Sequence, residues 1–156
     1  YAEMRRELVH ALGNPVMEKQ VREKAWAAFE EKKELVLGVL REDWDLLMAY
    51  FWLPDLVQHI SWYRDAEIEG LYRAMDDTAA LIAKTVGKNV FTLFISDHGQ
   101  QKGLHTLDAF YSCNEKINLY QPKITDFAGL IREKLGVPSN EDFEKVRGRL
   151  EKLGYL

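Results

Sequence analysis

Two short stretches carry most of the side chains able to do chemistry. "PDLVQH" presents Asp55 and His59 four residues apart, and "SDHGQQKGLH" presents Asp97 and His98 side by side, then Gly99, Gly103 and His105. Three of the chain's four histidines fall in these stretches. If the chain turns helically after Pro54, Asp55 and His59 share one face and can chelate a single ion. Imidazole nitrogen with carboxylate oxygen is the donor set of zinc, manganese and iron sites, and a thiolate site is excluded by the single cysteine, Cys113. Taken alone, an aspartate or histidine at the end of an element is commonly a cap or a hydrogen-bonded polar group. The concentration of the set in two stretches is what points to metal. Gly99 and Gly103 permit a sharp reversal that returns His105 toward the other four.

The surrounding pattern must supply the elements that hold them. "NPVMEKQVREKAWAAFEEKKELVLGVLRED" repeats apolar residues at helical spacing (Val21, Ala25, Ala28, Phe29, Leu35, Val39), with Asn14 and Pro15 as cap and first turn. "VHALG" before it reads as the end of a shorter helix stopped by Gly13. "WDLLMAYFWLP" is a continuous apolar run ended by Pro54 and predicts a buried central strand. Ile68, Leu71, Met75, Ala79 and Ile82 form the stripe of a further helix stopped by Gly87, and "NVFTLFIS" predicts a second buried strand. Strand, helix, strand implies a right-handed crossover with parallel strands. In parallel sheets ligands bind beyond the carboxyl ends of strands, so both strand exits would deliver one aspartate and one histidine to the same edge. Further on, "QQKGLHTLDAFYSCNEKINLYQP" reads as irregular or short-stranded, and "ITDFAGLIREKLG" as a helix opened by Thr125 and closed by Gly136. A last helix is predicted over 139–153. Trp62, Phe110 and Tyr111 flank the proposed ligands and are candidates to line a substrate pocket.

Composition narrows the function. At 156 residues and 47% hydrophobic, the chain predicts a single domain, 1–156, with a real core. A net charge of -4 without basic blocks gives no footprint for duplex nucleic acid. No apolar run approaches the roughly 20 residues that span a bilayer. With one cysteine and no signal-peptide core, the cytoplasm is the expected location.

"PDLVQH", "SDHG" and the later histidine of "GLHTLDAFYSCNE", together with the "YRAMDDTAALI" helix, resemble the C-terminal half of the alkaline phosphatase superfamily, in its type I phosphodiesterase and nucleotide pyrophosphatase branch. The similarity runs from about Val21 to Leu135. It implies an α/β fold of three layers around a mostly parallel sheet, and two divalent metal ions, zinc above all with manganese or iron as substitutes. Asp55, His59 and His105 would ligate one ion, and Asp97 with His98 its neighbour. The substrate would be a small phosphate ester or nucleotide, opened by in-line phosphoryl transfer between two metals. The family's nucleophile, a threonine or serine, and a further metal-binding aspartate have no counterpart here: no Thr or Ser precedes Asp55. The expectation is therefore a C-terminal portion that alone binds at most one ion well and turns over little. The alternative is a noncatalytic metal-binding or interaction domain of the same fold.

Overall fold

The computed structural model describes residues 2–137; the helix predicted over 139–153 lies outside them. The chain divides into two compact units, Tyr1–Asn114 and Glu115–Leu156.

Four helices build the core of the first unit: α1 (Ala2–Ala11), α2 (Pro15–Val39), α3 (Leu53–Ser61) and α4 (Asp65–Val86). The start of α2 follows from three adjacent residues. Gly13 takes φ 83, which a side chain would resist. Asn14 then caps the helix, its Oδ1 accepting from the Val16 and Met17 amides at 3.2 Å each, and Pro15 fills the first turn where no amide is needed. Buried Glu18 accepts the Gly13 amide at 3.0 Å and so ties the corner to the helix.

On α2 the inward stripe is Val21, Ala25, Phe29 and Val36. Leu35, expected to face inward, is 59% exposed because the spacing from Phe29 carries the stripe to Val36 instead. Leu71 and Thr78 are the buried residues of α4. The shortest of the core-forming helices contributes most to the core: Leu53, Leu56, Val57 and Ile60 of α3 are all at or below 2% exposure. Their i, i+3, i+4, i+7 spacing is one helical stripe, which leaves Asp55 and His59 on the other side. One short sequence thereby anchors the helix and presents a donor pair.

Glu67 joins three of these helices. Its carboxylate accepts Ser61 Oγ at 2.5 Å and Arg64 Nη1 at 2.9 Å, and lies 3.4 Å from Arg22 Nε. Burial pushes its carboxyl up, but the Ser61 and Arg64 hydrogen bonds and the Arg22 charge prevail and hold it below the ordinary value of 4.5. A carboxyl lowered on folding stabilises above its unfolded pKa and loses that contribution as pH falls through the folded one. Glu67→Gln is therefore expected to lower stability at about pH 7 by about 0.5–1 kcal/mol, with the gap from wild type closing as pH falls below the ordinary carboxyl range and through the lowered folded pKa. Urea unfolding across that pH range measures it.

The strand predicted over residues 44–54 does not form; residues 44–52 are neither helix nor strand, and Leu53 and Pro54 open α3. An apolar run becomes a strand only against another strand's backbone, and β propensity is largely the fit to such a surface. None of the described strands pairs with it, and Leu46, Met48 and Tyr50 stay 47%, 74% and 56% exposed. The second predicted strand is present as β1 (Leu93–Ile95), but its partner is β4 (Tyr111–Cys113) and the pairing is antiparallel, Leu93 opposite Cys113 and Ile95 opposite Tyr111. Between them β2 (Gly99–Gln101) and β3 (Leu104–Thr106) make a second antiparallel pair. The helix-and-strand class stands. The mostly parallel sheet, its right-handed crossover and the three layers are corrected to two small antiparallel pairs among the described residues, because the first predicted strand does not form and the chain between Ile95 and Tyr111 is taken up by the β2–β3 hairpin, which returns it antiparallel to β1.

In the second unit, α5 (Asp126–Lys134) buries Phe127 and ends before Gly136 at φ 63. Thr125 was the expected cap. Its side chain makes no capping bond; instead Asp126 Oδ2 accepts the Lys123 amide at 2.8 Å.

Candidate metal centre

Residues 53–61 do turn helically, and Asp55 and His59 meet across one turn of α3, Asp55 Oδ1 lying 3.2 Å from His59 Nε2. His105 arrives from β3. The reversal that brings it there is the two-residue turn Lys102-Gly103, with φ 51 and φ 76, the positive pair that a tight hairpin of primed type requires. His105 Nε2 then lies 2.9 Å from Asp55 Oδ1 and 3.1 Å from His59 Nε2. Three donor atoms, one from each of Asp55, His59 and His105, thus converge. On a tetrahedral zinc with bonds of about 2.0–2.1 Å, neighbouring ligand atoms sit about 3.3 Å apart. The observed separations of 2.9, 3.1 and 3.2 Å are close to that value and also fall in the hydrogen-bonding range.

Charge and lone pairs leave room for a cation at the same point. His59 Nδ1 lies 2.7 Å from the Gly103 carbonyl, which can only accept, so Nδ1 carries the proton. In neutral His59, Nε2 is then a bare lone pair. It faces the Asp55 carboxylate and the ring nitrogen of His105, an arrangement that repels unless a proton or a metal ion lies between. Asp55 and His59 are largely withdrawn from solvent, at 20% and 24% side-chain exposure, so water screens that repulsion poorly.

Asp97 and His98 occupy the turn after β1, as their sequence position suggested. His98 Nδ1 lies 3.0 Å from the Gly99 carbonyl, which turns its Nε2 toward Asp55 Oδ1 at 3.8 Å. Its ring stacks on His105 with centroids 3.9 Å apart. Asp97 Oδ1 is 3.7 Å from His98 Nε2, and its carboxylate is 67% exposed. All five predicted residues line one open pocket of about 290 Å³, with Leu8, Tyr50 and Leu56. Only Asp55, His59 and His105 close on a common point; Asp97 and His98 stand beside them.

Trp62, Phe110 and Tyr111 do not line this pocket. Phe110 is 62% exposed, since the loop it follows runs outward, and Trp62 packs elsewhere. A Cβ built on Gly103 would meet the Trp62 indole at 2.8 Å. Trp62 therefore seats the turn whose carbonyl holds His59, a role the sequence signals only through the glycine. Asp76 and Asp77 are exposed on α4, where Arg73 pairs with Glu69 at 2.6 Å. His10 is exposed on α1, away from the pocket lining.

The family model for type I phosphodiesterase / nucleotide pyrophosphatase matches residues 5–152. The chain belongs to this family. For this phosphodiesterase-family chain, no curated protein and no solved structure gives a match. Membership implies hydrolysis of phosphodiester or pyrophosphate bonds with divalent metals. No helix among the described residues is long and apolar enough to cross a membrane.

Proposed function

We propose that the chain is the metal-holding part of a hydrolase acting on small phosphate esters or nucleotides. The observation that carries this reading is the convergence of Asp55, His59 and His105 on one point, with His59 turned donor-free toward it by the Gly103 carbonyl. These three would hold one divalent ion, zinc best matching the nitrogen-rich set and short separations, with manganese or iron as substitutes. Asp97 and His98 would contribute two donors to a second ion. Such ions supply Lewis acidity at the phosphorus centre and stabilise both oxygens of an in-line displacement. The chain's own part is to orient: α3 fixes two donors through its buried stripe, and the β2–β3 hairpin sets the third.

The lining of the pocket offers no serine or threonine hydroxyl. We infer that the nucleophile and a further acidic ligand come from a segment preceding these residues in a longer phosphodiesterase-like domain. This chain by itself then binds one ion tightly, the second weakly, and turns over little. The same lack of a hydroxyl supports a second reading, a noncatalytic metal-binding domain of this family. A reducing, cytoplasmic setting suits a chain whose single cysteine cannot form an internal disulfide.

The test is an assay of the full-length product with zinc, manganese or iron against a model diester and a model monoester. Metal-dependent cleavage of the diester is expected. Metal binding without cleavage of either ester selects the noncatalytic reading, and absence of metal binding removes both.

A further inference from the structure

The β2–β3 hairpin does more than carry His105. Its backbone supplies an acceptor to each of the other two imidazoles, Gly103 O to His59 Nδ1 at 2.7 Å and Gly99 O to His98 Nδ1 at 3.0 Å. His105 has no such support: among the described residues its Nδ1 makes no hydrogen bond, while its Nε2 is committed to Asp55. Directly across the ladder from His105 stands Gln100. Both atoms of the Gln100 side-chain amide are shut off from solvent and hydrogen-bonded to nothing among the described residues. A buried amide in that condition is rare, and calls for a partner. Residues directly opposite in an antiparallel pair project to the same face with Cβ atoms about 4.5–5.5 Å apart, a span that a glutamine's side-chain torsions cover.

We infer that Gln100 is a positioning residue of the metal centre: when a cation is held, its side chain rotates so that Oε1 accepts the Nδ1–H of His105, fixing the tautomer whose Nε2 lone pair faces the cation. The inference rests on the metal-centre reading of Asp55, His59 and His105. With it, one hairpin orients three imidazoles, two through main-chain carbonyls and one through a side chain. The bond also meets two needs at once, a partner for the buried Oε1 and support for the His105 ring. Metal-binding imidazoles generally donate their second N–H to an oxygen, and losing that oxygen weakens metal binding by about 10–100-fold.

The experiment is a zinc titration of the full chain by competition with a chromophoric chelator, for wild type, Gln100→Met and Gln100→Glu, with melting curves of each metal-free protein. Gln100→Met keeps the length and removes the acceptor; it is expected to lose about 10–100-fold in zinc affinity while its metal-free melting temperature stays at or above wild type. Gln100→Glu restores an acceptor oxygen and is expected to bind within a few-fold of wild type. In the zinc-loaded wild type, a slowly exchanging imidazole proton assignable to His105 is expected, and in Gln100→Met its loss. Wild-type affinity in Gln100→Met overturns the inference, as does an equal loss in both variants, which would mark Gln100 as merely structural. Failure of wild type to bind zinc is a different result, and it takes down the metal centre itself.

Discussion

Asp55→Ala is expected to abolish tight zinc binding, with a loss well beyond the roughly 100-fold that removal of a supporting hydrogen bond costs. Asp55 is the one anionic donor of the converging three, and its Oδ1 lies within 3.2 Å of both His59 Nε2 and His105 Nε2. Without it, two neutral imidazoles remain, held 3.1 Å apart with nothing to offset the charge of a divalent ion. The metal-free protein should change little in stability, because the substitution removes both the carboxylate that opposes the His59 lone pair and the 2.9 Å contact of that carboxylate with His105 Nε2. Zinc at about a hundred times its dissociation constant adds about 2.7 kcal/mol to wild-type stability. That increment is expected to vanish in Asp55→Ala, so melting curves with and without zinc give a direct reading. An unchanged zinc-induced rise in the variant would remove Asp55 from the site.

Gly99→Ala has a comparable expected effect by a different route. A Cβ at residue 99 would lie 2.2 Å from the Asp108 carbonyl oxygen and 2.6 Å from Thr106 Oγ1. The first is backbone and cannot swing aside, so the start of β2 must separate from its neighbours. That displaces the Gly99 and Gly103 carbonyls together with His105, and zinc affinity is expected to fall by about 100-fold or more. Global stability should change little. The buried cluster is drawn from α1, α2, α3 and α4, and none of its residues lies between Leu93 and Cys113. Helical circular dichroism and the urea midpoint near wild type, alongside lost zinc binding, are the expected pair of results. Cooperative unfolding of the whole chain would instead show that the hairpin is integral to the core.

Several features were legible from residue types alone. Helices α1, α2 and α4 announce themselves through apolar spacing and through Gly13, Asn14, Pro15 and Gly87, because capping and positive φ are local requirements met by few residues. The five metal-ligand candidates were legible for a similar reason: donor chemistry belongs to the side chain, and three of four histidines fall in two stretches. That Asp55 and His59 would pair followed from helical periodicity, once residues after Pro54 turned.

What periodicity could not settle was pairing. Residues 44–54 and 89–96 both read as buried strands, yet only the second contains one, at Leu93–Ile95, since a ladder is made with a neighbour and sequence does not say where the neighbour is. Parallel order was inferred from the helix between the two runs; with the first run unpaired, the partner of β1 came from the chain beyond it. The approach of His105 to Asp55, 50 positions apart in sequence, and the carbonyls that set each imidazole's free nitrogen are likewise tertiary outcomes. Donor identity is carried by each residue, whereas the distance between donors is created only when α3 has buried its apolar stripe and the hairpin has closed.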